Sequence, residues 1–268
     1  MASIVLSAEY SDYISIKQNH YHDCHQLLFV TKGTADIYVN NTKHTVTAGH
    51  LVVFSRLEHH AVTAQSSDYR RFVLELAPDV PVLGAEGYRV FSVLFNRPEG
   101  FRNILNVSNQ QEEFCRQFED ICREKQNKAP MYEDMLDLLA QQLLIAIYRQ
   151  APEAFSTMGE DGFELVYKIQ TLFHREYRTQ FTLGELAADH NVSVSHLSHL
   201  FKATTGNSVM GYLQSCRIAE AKKCLAETNM RVGEIVEHCG FSDNSNFSRT
   251  FRNMTGFSPS QFRERFHK

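Results

Sequence analysis

Two short runs near the C-terminal end carry polar and cationic residues at matching positions. In "SHLSHLFKATTG" they are Ser195, His196, Ser198, His199 and Lys202. In "NSNFSRTFRNMTG" they are Asn244, Ser245, Ser248, Arg249 and Arg252. Short hydroxyls and amides hydrogen-bond to base edges, and long cations make charge-assisted contacts to phosphate. Arg249 is the foremost candidate, because its planar fork can grip guanine O6 and N7 together. His199 takes the matching place in the first run and would be a weaker, pH-sensitive reader. The competing interpretation of any one of these residues is a solvated helix face.

A second group stands near the N-terminus. His20 and His22 are two apart in "HYHDCHQLLFVTKG", so on an extended chain they share a face, with Gln26 four residues on. "GHLVVFSRLEHHAV" brings His59 and His60 after another strand. Three uses are open. A small-molecule pocket would draw on His20, His22, Gln26, Tyr38, Arg56 and His60, with Tyr21 and Glu58 close by, and would suit a hydroxylated ligand such as a sugar. The two stretches resemble the two cupin motifs, and that resemblance implies that His20, His22 and His60 could instead hold a metal. Gln26, whose neutral amide is a poor ligand for a divalent cation, stands where metal cupins have a glutamate. The third use is structural.

These groups need elements to hold them. From about residue 4 to 80, "QLLFVT", "ADIYVN", "HTVTA", "LVVFS" and "RFVLEL" are short, rich in β-branched and aromatic residues, and divided by turn signals such as Lys32-Gly33 and Ala48-Gly49. Such spacing predicts an all-β barrel or sandwich. The period then changes. Phe114, Phe118, Ile121 and Cys122 fall at helical spacing, as do Met131, Met135, Leu138, Leu139, Gln142, Leu143, Ala146 and Ile147. So apolar a strip must cover the barrel or meet its copy on a second subunit. "QAPEAFSTMGEDG" reads as a linker in which Asp161 caps the next helix. Everything beyond it is helical.

The helical part contains one unit twice. Leu183, Leu186 and Ala187, a polar turn, then Leu197, Leu200 and Phe201 form the first copy. Val232, Ile235 and Val236, a turn through Gly240, then Phe247 and Phe251 form the second. Two short helices packed through such positions across a tight turn make a helix-turn-helix. Glu185 and Glu234 are 49 apart while Ser198 and Ser248 are 50 apart, so one extra residue lies in or just after the second turn. Between the copies, Ser208 is placed to cap a helix whose Leu213, Ile218, Ala221 and Leu225 dock both units. Two second helices held this way can enter successive major grooves, about 34 Å apart.

"SHLFKATTGNS", "RIAEAKKCL" and "GFSDNSNFSRTFRNMTGFSPSQFR", at this spacing, closely resemble the DNA-binding domain of AraC/XylS-type transcription regulators. The resemblance covers the C-terminal hundred residues. It implies that both helix-turn-helix units bind DNA through their second helices, using Ser195, Ser198 and His199, then Asn244, Ser245, Ser248 and Arg249. Asn246 departs from the usual tyrosine, and His199 from the common arginine. The N-terminal histidines resemble the two cupin motifs, which implies the ligand-binding cupin barrel common in that family.

The resulting expectation is a two-domain chain: a cupin-like ligand-binding barrel over 1–108, helices for dimerisation over 109–150, a linker over 151–161, and an all-α DNA-binding domain over 162–268 with units at about 183–202 and 232–252. It would be a cytoplasmic regulator, not an enzyme, binding double-stranded DNA as a homodimer under control of a small-molecule effector. RNA polymerase is a further candidate partner, and no metal or other cofactor is expected. The alternative is a metal-dependent cupin enzyme with a helical appendage. Composition agrees: 43% hydrophobic and 22% charged residues describe a folded chain, not a disordered one. From Glu160 onward there are 13 Lys+Arg against 12 Asp+Glu, leaving 14 against 19 before it, so the C-terminal part is the better match for a polyanion. The N-terminus lacks the basic region of a signal peptide, and the longest apolar run, Leu143 to Tyr148, cannot span a bilayer. Six cysteines without paired spacing predict reduced thiols.

Overall fold

Side-chain alternation builds the first half of the chain. The computed structural model describes residues 3–12, 22–39, 42–56, 58, 60–78, 87–95, 104–155 and 160–267. They form two compact units, Met1–Glu160 and Asp161–Lys268. In chain order the first contains β1 (Val5–Ser11), β2 (His25–Lys32), β3 (Thr34–Val39), β4 (Thr42–Thr47), β5 (His50–Phe54), β6 (His60–Ala64), β7 (Arg70–Leu76), α1 (Gly87–Phe95), β8 (Ile104–Asn106), α2 (Gln111–Asn127), α3 (Tyr132–Gln150) and α4 (Pro152–Phe155). Every described strand pair is antiparallel. The strands make a five-stranded sheet, β1-β7-β2-β5-β8, and a three-stranded one, β4-β3-β6.

The cupin-like barrel is therefore two sheets sharing one core, with no strand pairing between them among the described residues. Leu28, Val30, Val52 and Phe54 of the larger sheet pack with Ile37, Val39, Val46 and Val62 of the smaller. Strand β2 is buried on both faces because a second layer covers its back. Phe29 and Phe72 point that way and stack on Phe118 of α2, ring centroids 5.5 Å apart in each case. Each phenylalanine so buried contributes about 1.5–3 kcal/mol. The strip on α2 thus covers the sheet.

Helix α3 divides the strip expected of it. Leu136, Ala140, Leu143, Leu144 and Ile147 are buried, while Met131, Met135, Leu138, Gln142 and Ile145 are exposed. The expected linker includes the single-turn helix α4, and the helix that follows begins at Glu160, so Asp161 lies inside it.

The second unit contains α5 (Glu160–Glu176), α6 (Leu183–Asp189), α7 (Val194–Thr205), α8 (Val209–Glu227), α9 (Val232–His238), α10 (Asn244–Thr255) and α11 (Pro259–Phe266). Helix α8 is its axis and touches α7, α9, α10 and α11. Ser208 caps it by accepting from the Gly211 N–H at 3.1 Å, and Leu213, Ile218, Ala221 and Leu225 are buried. Arg217 is buried too, and donates to the carbonyls of Tyr177 and Thr179 at 2.7 and 2.9 Å, tying the end of α5 to the axis. All six cysteines are free thiols. Burial pushes Cys24 and Cys239 up to about 12, so both are neutral packing groups. Among the described residues no helix is long and apolar enough to cross a membrane.

Candidate functional site

The two copies share local chemistry as well as apolar spacing. Glu185 accepts from the backbone of Thr182 at 3.0 Å and Glu234 from that of Arg231 at 2.6 Å, which starts α6 and α9 alike. Ser193 caps α7 through the His196 N–H at 3.1 Å, and Asp243 caps α10 through the Asn246 N–H at 2.7 Å. Both helices end on a left-handed glycine, Gly206 or Gly256, whose N–H returns to the carbonyl of Lys202 or Arg252. The turn between α6 and α7 has four residues, 190–193, and that between α9 and α10 has five, 239–243. The extra residue lies in the second turn.

Packing then decides which face is offered. Leu197 and Phe201 of α7 are buried, with Phe201 edge-on to Tyr212 of α8, centroids 5.6 Å apart. Phe247 and Phe251 of α10 are buried, with Phe251 edge-on to Phe262 of α11 at 5.4 Å. With these faces taken, Ser195, His196, His199 and Lys202 are exposed and Ser198 is half-buried. Asn244, Ser245, Ser248, Arg249 and Arg252 are all exposed. Asn246, half-buried, accepts from the guanidinium of Arg249 at 3.3 Å through Oδ1. That bond steadies a long side chain on an otherwise open surface.

In the first unit a cavity of about 240 Å³ opens against the inner face of the larger sheet. Its walls follow the two-residue period of the strands: Ser7 and Glu9 on β1, Arg71, Val73 and Glu75 on β7, Gln26 and Leu28 on β2, His60 and Val62 on β6, with His22 at the side. The register sets Ser7, Glu75 and Gln26 in one row across three strands. Ser7 Oγ donates to Glu75 Oε2 at 2.8 Å and Gln26 Nε2 donates to Oε1 at 3.4 Å. His60 stacks on Phe54 at 3.9 Å and lies 5.3 Å from the His22 ring. Its Nδ1 is 2.9 Å from the Glu58 carbonyl, which can only accept, so that nitrogen carries the proton.

Three of the six expected ligand-binding residues, His22, Gln26 and His60, thus line one cavity. His20, like Tyr21 and His59, lies outside the described residues. Tyr38 and Arg56 do not line that cavity. Ile37 and Val39 turn inward, and strand alternation sends Tyr38 to the outside. Arg56 is buried away from the cavity, its Nε bound to Asp23 at 2.5 Å and its backbone N–H donating to His25 Nδ1 at 3.1 Å. Ser7, Glu9, Arg71 and Glu75 were missed. The alternation in "SAE" and "RFVLE" was the available signal, but only register shows that these strands are neighbours.

Residues 2–144 match the family pattern described as an AraC-like ligand binding domain, and residues 186–265 match a helix-turn-helix domain. Among curated relatives, the HTH-type transcriptional activator RhaR of Mannheimia succiniciproducens is 24% identical over 277 residues, covering 95% of this chain and 93% of the relative. RhaR of Salmonella dublin is 25% identical over 252 residues, covering 91% and 86%. Among solved structures, ToxT from Vibrio cholerae superposes with a TM-score of 0.59 at 12% identity over 100% of both chains. An unsaturated fatty acid-bound ToxT gives 0.57 at 14% identity, covering 98% of this chain and 96% of the other. At that identity the likeness is one of fold.

Proposed function

Since the chain belongs to the AraC family of transcription regulators, we propose that it is an activator that reads two successive major grooves and answers to a small hydroxylated metabolite such as a sugar. The DNA-binding part of this reading is carried by one observation: two helices capped in the same pattern, α7 by Ser193 and α10 by Asp243, turn their polar and cationic residues to solvent and their apolar ones inward. Arg249, steadied by Asn246, makes the stronger base contact and His199 the weaker. Lys202 and Arg252, at equivalent positions, meet phosphates, with Ser195, His196, Ser198, Asn244, Ser245 and Ser248 supplying short polar contacts.

The cavity supports the effector reading. Its carboxylates, guanidinium and imidazoles offer donors and acceptors on several sides, and its volume falls below the range of about 300–1,000 Å³ usual for drug-sized ligands. The ligand shifts DNA affinity only as far as it prefers one arrangement of the chain over another.

Homodimerisation rests on α3. Its exposed positions 135, 138, 142 and 145 alternate by three and four, the spacing of a coiled-coil seam. A dimer places four reading helices on two half-sites. As an activator it meets RNA polymerase at the promoter, and it works in the cytoplasm where both are found.

Selection of bound sequences from random duplexes, followed by anisotropy titrations with and without a panel of sugars, tests this. Enrichment of paired half-sites and a ligand-dependent change in affinity are expected. Binding without sequence preference would overturn the regulatory reading, and enriched half-sites with no ligand effect would overturn the effector reading alone.

A further inference from the structure

One cluster in the second unit takes no part in reading DNA. Glu220 and Cys224 are four apart on α8 and share a face, and His238 is the last residue of α9. Among the described residues, this is the one group of three potential metal-ligating side chains whose ligand atoms lie within 4.8 Å of one another. We propose that Glu220, Cys224 and His238 form a binding site for a zinc-class divalent transition metal, which fastens the second helix-turn-helix unit to the connecting helix.

The geometry supports this closely. With metal–sulfur, metal–nitrogen and metal–oxygen bonds of about 2.3, 2.05 and 2.1 Å, tetrahedral coordination separates sulfur from oxygen by about 3.6 Å and nitrogen from oxygen by about 3.4 Å. Cys224 Sγ lies 3.7 Å from Glu220 Oε1, and His238 Nε2 lies 3.4 Å from the same oxygen. These two separations match, and all three ligand atoms lie within 4.8 Å of one another. Cys224 is buried, while Glu220 and His238 are half-buried, so a fourth position can be filled by water. One sulfur, one imidazole and one carboxylate suit zinc or cobalt and exclude the all-oxygen preference of calcium and magnesium.

One neighbour competes. Arg178 is exposed, and its Nη2 stands 2.9 Å from His238 Nε2, so the guanidinium must swing outward when an ion enters. The site belongs to one copy only. At the position in α6 that matches His238 the first copy has Asp189, 49 residues earlier, as Glu185 precedes Glu234. Occupancy would therefore stiffen the hold on α9, and so the footing of α10, without touching α7.

The test uses the full chain without a polyhistidine tag, reduced and metal-free, titrated with Co²⁺ at pH 7.5. A thiolate-to-cobalt charge-transfer band saturating at one equivalent and displaced by Zn²⁺ is expected. The band should vanish in Cys224→Ser, and affinity should fall by roughly tenfold or more in His238→Gln. If the buried serine variant fails to fold, His238→Gln at the helix end still decides. Arg178→Ala should bind more tightly, because it removes the competitor for Nε2. The thiolate band also separates this site from the barrel histidines. Absence of that band, its survival in both ligand variants, or no tightening in Arg178→Ala would overturn the proposal.

Discussion

Gln26 and Glu75 stand opposite each other on β2 and β7, and the amide of Gln26 donates to Glu75 Oε1 at 3.4 Å. Ser7 holds the other carboxylate oxygen from β1. The amide at position 26 is therefore a donor that steadies an acid the cavity presents. A carboxylate in its place would meet another carboxylate.

Gln26→Glu should accordingly destabilise the first unit at neutral pH by about 1 kcal/mol, the scale of like charges directly opposed on a sheet. As pH falls and one of the pair takes a proton, the deficit should close. Thermal melts at pH 5 and pH 8 check this. An equal deficit at both would remove charge repulsion as the cause.

Arg249→Ala should weaken binding to a selected duplex by about 1–3 kcal/mol and relax sequence preference at one base pair. Arg249→Lys should restore little, because an ammonium cannot make the paired contact. His199→Ala should cost less. Lys202→Ala and Arg252→Ala should weaken all sequences alike and each reduce the salt slope by about 1. Anisotropy across a salt series distinguishes these patterns, and an Arg249→Ala protein that binds like the parent would sink the assigned role.

Leu138→Glu places a charge in the middle of the exposed stripe on α3, where Leu138 is 61% exposed and so no internal packing is lost. The expected result is a monomer of unchanged melting behaviour and weakened affinity for paired half-sites. Sedimentation equilibrium reads the mass directly, and a dimer that persists would place the interface elsewhere.

Asp36 predicts the acid limb of stability. Burial alone would raise its carboxyl, but hydrogen bonds from Lys43 at 2.8 Å and Thr45 at 2.8 Å outweigh it and hold the group below the usual carboxylate range. A depressed folded pKa contributes stability that is present above the unfolded value of about 3.9 and lost as pH falls through the folded one. Asp36→Asn should thus melt a few degrees lower at pH 7, with the difference shrinking below pH 4. A difference that persists unchanged into acid would point to packing instead.

Gly240→Ala should destabilise the second helix-turn-helix. Its φ of +77° is left-handed, and an added Cβ would sit 2.7 Å from the Arg178 carbonyl oxygen. Strain of about 1–3 kcal/mol is expected before any clash is counted. A melt of the isolated substitution checks it, and an unaltered midpoint would refute both effects.

What the sequence alone determined is what short-range chemistry controls. Apolar residues at helical spacing, polar caps and terminal glycines act within about four residues, so both helix-turn-helix units, their unequal turns and the solvent-facing identity of Arg249 and His199 were legible. Strand existence was legible for the same reason, through period-two alternation. Which residues those strands bring together was not. Glu75 joins Ser7 and Gln26 across separations of 68 and 49 residues, and no local pattern carries that register. Alternation set Tyr38 against Ile37 and Val39 once the core side was known, and Asp23 claimed Arg56 for an ion pair. The split of α3 into a buried and an open face likewise needed its neighbours in place. Backbone propensity is local, whereas a cavity wall is a product of pairing and packing at a distance, and that part belonged to the tertiary structure.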